Sequence, residues 1–195
     1  MILEQLSEPS PSTSEGHEQT GQQIELKRLT EVNLSELVAL MSNPLVRRQM
    51  PLTRDNYTEA DAAAFVQRKE ALWTQHGYGP WAFFIDGHFA GWGGFQPEGD
   101  DVDLGLVLHP AYWGAGKALY DVLMAHAFGA MNLTSVTILF PPSRTRVKGV
   151  LRLGFTPDGE MAVGGKRFLR YRLLASIYHS QHLQTSSVWR RKLRV

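Results

Sequence analysis

The chain has 195 residues, a formal net charge of +1, 43% hydrophobic and 20% charged residues, and no cysteine. That length suits one domain around one substantial core, and the missing thiols exclude disulfides, zinc–thiolate sites and a cysteine nucleophile. The near-neutral charge excludes a global field toward nucleic acid or a lipid surface, and no run approaches the ~20 apolar residues of a membrane span.

Residues 1–22 are rich in Ser, Glu, Gln, Pro and Gly and cannot offset their ordering entropy by burial, which predicts a disordered leader. They carry no basic stretch followed by an apolar one, so no secretion signal is read and a cytoplasmic protein is expected. Residues 23–175 are expected to form the domain, and residues 176–195 a polar, basic tail.

Ile24 to Leu29 alternates apolar and polar residues as a half-buried strand does, and Thr30 stands where the next helix would be capped, ahead of Leu34, Leu37, Val38 and Met41. Residues 43–56, with two prolines and no period, read as a connecting loop. Thr58 and Asp61 have capping-box spacing for a helix that runs through Phe65, Val66, Leu72 and Trp73 to about His76. Gly77, Gly79 and Pro80 end it. Trp81–Ile85 and His88–Phe95 read as a hairpin around Asp86-Gly87, Gln96–Asp101 as a polar loop, and Val102–Leu108 as a third strand.

Pro110 stops that strand, and Gly114 and Gly116 open an amphipathic helix bearing Leu119, Val122, Leu123 and Phe128. Thr134–Phe140 is a strand broken by Pro141-Pro142, and Ser143 is placed to cap a helix with Val147, Val150 and Leu151 that stops at Gly154. Phe168–Leu174 closes the order as a strand. Such an alternation predicts an α+β domain with a mixed sheet.

The stretch from Asp103 to Leu119 carries the chemistry. A strand runs into a small-residue turn that opens a helix, and free N–H groups with glycines that let a ligand approach make an anion site suited to a pyrophosphate, to which Lys117 could add charge. A dinucleotide fingerprint fails because Leu119 stands where the third glycine belongs. A nucleoside-triphosphate loop fails because Ala118 follows Gly116-Lys117 where a hydroxyl is needed.

This segment resembles the acetyl-CoA-binding motif of the GNAT superfamily, Arg/Gln-x-x-Gly-x-Gly/Ala, with Trp113 in the first position, Gly116 in the fourth and Ala118 in the sixth. Trp-Gly-x-Gly here is similar to the branch that acetylates N-terminal amines of ribosomal proteins. Asn43-Pro44 with Val46, Arg47 and Met50-Pro51 resembles that branch's loop between its first two helices, and Val150 to Phe155 resembles the family's late helix ending in Leu-Gly-Phe. The likeness covers roughly residues 24–174 in order. Departures are Ser143 where the family often has Asn, Arg146 where it often has Ser, and no counterpart in the late helix to the tyrosine that serves many members as general acid.

The resemblance implies a GNAT-like acyl-CoA N-acyltransferase fold, a mostly antiparallel sheet flanked by helices. It implies acetyl-CoA as co-substrate, without metal, and direct attack of a primary amine (a protein N-terminus or a small molecule) on the thioester. Val107 or Leu108 would offer a backbone N–H to the thioester carbonyl, and Trp113, Gly114, Ala115, Gly116, Lys117 and Ala118 would hold the cofactor. Asp103 matches the acidic residue that relatives carry two positions before the strand glycine, here Gly105, and is the candidate base; its other reading is a solvated strand-end carboxylate, with Asp101 and Glu98 as substitutes close by. Ser143 either contacts the pantetheine arm or thiol or simply caps a helix, Arg146 either pairs with a phosphate or is solvated, and Tyr112 is a candidate acid or a packing residue. Trp73, Trp81 and Trp92 read as core or acceptor wall, and Arg47, Arg48 and Arg54 as a solvated loop or a site for an acidic acceptor. His179 and His182 have metal-ligand spacing without a third ligand, and the basic cluster Arg190–Arg194 reads as a solvated end rather than an RNA contact. A non-catalytic acyl-CoA-binding regulatory or interaction module is the alternative, and a homodimer is left open.

Overall fold

A computed structural model of the chain describes residues 22–182 apart from 51, 55, 145 and 146. All of the predicted leader but its last residue, Arg146 and the basic cluster 190–194 therefore lie outside the described residues.

The elements follow in order: β1 (Ile24–Lys27), α1 (Leu34–Ser42), α2 (Pro44–Arg47), α3 (Glu59–His76), β2 (Pro80–Ile85), β3 (His88–Glu98) and β4 (Asp101–Leu108), then α4 (Gly116–Ala125), β5 (Ser135–Phe140), α5 (Lys148–Arg152), β6 (Thr156–Val163) and β7 (Lys166–Leu174). The strands form one seven-stranded sheet in the order β1-β2-β3-β4-β5-β7-β6. Every neighbouring pair is antiparallel except β4 and β5, which are parallel. This is the expected mixed, mostly antiparallel sheet.

Strand alternation sorts the core into two layers. Leu104, Leu106 and Leu108 of β4 join Val136, Ile138 and Phe140 of β5 under α4, which contributes Leu119, Tyr120, Leu123 and Met124. On the opposite face Ala82, Trp92 and Val107 pack with Leu37, Leu40 and Met41 of α1 and with Ala62, Phe65 and Val66 of α3. Each large apolar side chain buried this way is worth roughly 1.5–3 kcal/mol.

Local chemistry explains most element ends. The Thr58 hydroxyl accepts from the Asp61 N–H while the Asp61 carboxylate accepts from the Thr58 N–H, which closes the expected capping box on α3. Asp86 and Gly87 take positive φ angles of 50° and 78°, as a tight two-residue hairpin turn requires.

The structure corrects several expectations. Thr30 caps nothing: it lies in a 3-10 turn at Leu29–Glu31, and α1 begins after Asn33. Within the expected loop, the Asn43 side chain accepts from the Leu45 N–H and Pro44 supplies the first turn of α2. Gln96–Asp101 is not a loop, because Gln96 to Glu98 pair with Asp103 to Asp101 and extend the β3–β4 hairpin. Ser143 does not cap α5, which starts at Lys148 with Val147 in the cap position. Strand β6 was unforeseen because Pro157 and Gly159 break its pattern. It is an edge strand with an irregularity between Pro157 and Glu160, where a proline is tolerated. Residues 175–182 are helical, although the sequence from 176 onward reads as tail, and Tyr178 packs against Phe128 with ring centroids 5.0 Å apart.

Candidate active site

The sheet has one weak seam. Parallel pairing between β4 and β5 is confined to Asp103 opposite Thr137, supported by the Thr137 hydroxyl donating to the Val102 carbonyl at 3.3 Å. Beyond that rung the strands part, so the β5-facing backbone of Leu104 to Leu108 needs other partners. The Trp113 indole takes one of them, donating from Nε1 to the Leu108 carbonyl at 3.2 Å.

Trp113 belongs to a 3-10 turn, Pro110–Ala115, that runs directly into α4, with the Gly116 N–H donating back to the Trp113 carbonyl. Gly114 adopts no left-handed conformation, and a Cβ built on it would meet nothing within 4 Å. It is a smooth, open spot rather than a conformational necessity. Gly114, Lys117 and Ala118 are exposed, whereas Ala115 and Gly116 are buried. Lys117 pairs with Asp121 one turn on, so a bound phosphate would compete for it.

On the α1–α3 face, beside the seam, lies a cavity of about 170 Å³. Val107, Gly105 and Trp92 form its floor, and Leu139 and Phe168 its far side. Gln49, Met50, Leu52 and Thr53 wall it from the segment after α2. A cleft of about 690 Å³ shares Met50, Leu52, Thr53, Lys69 and Trp92 with it and continues past Arg54 and Tyr57. Desolvation pushes the Tyr57 hydroxyl up to about 12, so it stays protonated.

Asp103 is fully buried on this face. Its reading as a solvated strand-end carboxylate is therefore wrong. Its Oδ2 accepts from Gln96 Nε2 at 3.3 Å, whereas Oδ1 is a buried atom with no hydrogen-bond partner. Trp92 Nε1 is likewise buried without a partner. Burial holds the Asp103 carboxyl well above the usual carboxylate range, with Glu98 adding to the effect and Gln96 and Lys69 opposing it. Asp101, the suggested substitute, is held by Arg170 and Arg172, which keep its carboxyl below the usual range. Glu98 lines the cavity.

Residues 23–156 match the family model of the acetyltransferase (GNAT) domain. The chain belongs to the GNAT acetyltransferase family. Solved GNAT acetyltransferases share the fold. An acetyltransferase from Agrobacterium tumefaciens is 19% identical with a TM-score of 0.63, over 86% of this chain and 99% of that one. An aminoglycoside acetyltransferase in complex with coenzyme A is 14% identical with a TM-score of 0.63, over 83% and 99%. A Vibrio cholerae protein assigned as a ribosomal-protein-serine acetyltransferase is 19% identical with a TM-score of 0.60, over 80% and 98%. GNAT acetyltransferases use acetyl-CoA.

Against that family pattern, Asp103, Val107 and Leu108 lie on the strand that borders the seam, and Trp113–Ala118 follow at its open end. Ser143 is exposed in the turn after β5. Tyr112 is half-buried and packs against the α4-side core. Of the three tryptophans, Trp92 alone lines the cavity; Trp73 and Trp81 stack edge-to-face at 4.8 Å elsewhere. His179 sits against Phe128 and Tyr178, and among the described residues no three His, Cys, Asp or Glu side chains are grouped to hold a metal. Among the described residues no helix is long and apolar enough to cross a membrane.

Sequence reasoning missed Lys69 and Gln96. Lys69 falls in step with Ala62, Phe65, Val66 and Trp73 on one stripe of α3, and a lysine on an apolar stripe was the available signal. Gln96 was hidden by the misread loop.

Proposed function

We propose that the protein is an N-acetyltransferase that moves the acetyl group of acetyl-CoA to a primary amine, at a protein N-terminus or on a small molecule. Acetyl-CoA supplies the activated acetyl thioester, and the amine displaces the thiol directly through a tetrahedral intermediate. The observation that carries this reading is the pair of unpartnered buried atoms beside the open seam: Trp92 Nε1, on a residue that lines the cavity, and Asp103 Oδ1, whose carboxylate is hydrogen-bonded to the lining residue Gln96. A buried acceptor and a buried donor left unpaired each cost about 1–3 kcal/mol, which a bound ligand would recover.

In this scheme Asp103 is the general base. The attacking amine must be neutral, and a carboxyl whose proton affinity is raised by burial is a better acceptor for that proton than a solvated one. Backbone N–H groups at Val107 or Leu108 would face the developing oxyanion. The surface from Trp113 to Ala118, with Arg146, would hold the pyrophosphate, and Ser143 would meet the pantetheine arm. The cavity between Trp92 and Gln49, Met50, Leu52 and Thr53 would take the acceptor.

Thermal melting with acetyl-CoA, CoA, NAD and ATP, followed by CoA-thiol release across a panel of peptides and small amines, tests the proposal. Stabilisation by acetyl-CoA and CoA alone, with turnover lost in Asp103→Asn, supports it. Stabilisation without turnover on any amine would favour a non-catalytic acyl-CoA-binding module, and no stabilisation by either CoA species would remove the basis for both.

A further inference from the structure

Lys69 and Gln96 have no part in the scheme so far, yet they fill the polar centre of the cavity wall. Lys69 donates from Nζ to Gln96 Oε1 at 2.5 Å, and Gln96 Nε2 donates to Asp103 Oδ2 at 3.3 Å. The three residues come from α3, β3 and β4, and Gln96 and Asp103 are cross-strand partners. The ammonium also lies 5.7 Å from the centroids of both Phe65 and Trp92, so two ring faces and one amide fix its position.

We infer that Lys69, acting through Gln96, is a positioning residue for Asp103: the bridge fixes which carboxylate oxygen is engaged and which is left unpartnered, and supplies the carboxylate's charge-compensating partner. The inference rests on Asp103 as base but concerns different residues. The orientation of the bridge is over-determined. An ammonium only donates, so it selects the amide oxygen of Gln96, and the amide nitrogen is then left for Asp103. Oδ2 is thereby occupied and Oδ1 is the free oxygen.

Stability alone does not explain a lysine here. Its neighbours on the stripe are apolar, a methionine would fill the same space, and a buried ammonium carries a desolvation cost. Burial holds the Lys69 ammonium below its usual range while Asp103 pulls it back up. The other charged groups acting on the pair are Arg68 on α3, which lowers Lys69 further, and Glu98 on β3, which raises both Lys69 and Asp103.

The test is a titration of the Asp103 carboxyl carbon by 13C NMR in the full chain saturated with CoA, for wild type, Lys69→Met, Lys69→Arg and Gln96→Leu. Losing the cation should raise the Asp103 midpoint. Gln96→Leu should raise it at least as much, because it removes the hydrogen bond to the carboxylate as well as the link to the ammonium, and Lys69→Arg should leave it near the wild-type value. In turnover the acid limb of kcat/KM should move with the midpoint, while the CoA-induced shift in Tm stays unchanged. Midpoints that stay in place in both Lys69→Met and Gln96→Leu, with the CoA shift intact, would overturn the bridge. Normal turnover by Asp103→Asn would instead overturn the base assignment, and the carboxyl titration would still decide whether the bridge exists.

Discussion

Arg172 on β7 grips Asp101 on β4 with N–O contacts of 2.7 and 2.8 Å, one rung from the point where β4 and β5 separate. Arg170 adds a contact to Asp101 at 3.0 Å, and both arginines also reach Asp158 on β6. Four charges from three strands thus close one end of the seam and leave the other open. A charge-assisted pair at this depth contributes about 1.5–3 kcal/mol.

Asp101→Asn should therefore lower stability at neutral pH by about 2 kcal/mol. The arginines depress the folded-state pKa of Asp101, so its contribution is complete above the unfolded value and disappears as pH falls through the folded one. Urea denaturation should show wild type and variant converging in acid. A constant difference across pH would mean that the cluster is not electrostatic in origin.

The signs reverse at Asp103. Its folded pKa is raised, so its favourable contribution exists below the unfolded value and is lost as pH rises through the folded one. Asp103→Asn should gain on the wild type as pH rises from the unfolded value to the folded midpoint, by up to about 1.4 kcal/mol per pH unit, and the gain should level off above that midpoint. Melting curves followed upward from the ordinary carboxylate range read this directly. A variant that tracks the wild type would show that the carboxyl is not desolvated.

Gly114→Glu places a bulky anion on an open surface where its Cβ meets nothing. The unliganded Tm should not change. The stabilisation by saturating CoA, about 2.7 kcal/mol at a hundred times Kd, should be lost. An undiminished CoA shift would place the phosphates elsewhere.

Gly91 on β3 is the opposite case. Its φ is 152°, and an added Cβ would lie 2.1 Å from the Val107 carbonyl oxygen. Backbone cannot yield as a flexible side chain does, so Gly91→Ala should cost about 3 kcal/mol or more and displace Val107. Measuring CoA binding on the residual folded protein separates the two effects.

Where local chemistry is self-sufficient, the chain is easy to read. Thr58 with Asp61, Asp86 with Gly87, and the alternation of Leu104, Leu106 and Leu108 each carry their structure within a few residues. The misreadings share another cause. β6 exists only because β7 offers it an edge, and Gln96 is a strand residue only because Asp103 stands opposite. Asp103 itself shows the limit for the site. Its place before Gly105 marks it in sequence, but its complete burial depends on the helices that cover that face. Lys69 is 34 positions from Asp103 in sequence and is linked to it only through a third element.

The single rung between β4 and β5 also bears on how the molecule assembles. Strands β2 to β4 are joined by short hairpins and β6 to β7 by another, so each group closes over small sequence separations. Joining β4 to β5 requires a parallel crossover through α4, with the loop entropy that such closures carry. Amides along this join should then be the last to gain protection from hydrogen exchange during folding and among the first to lose it in the native state. The part of the sheet that completes latest is the part that borders the cavity.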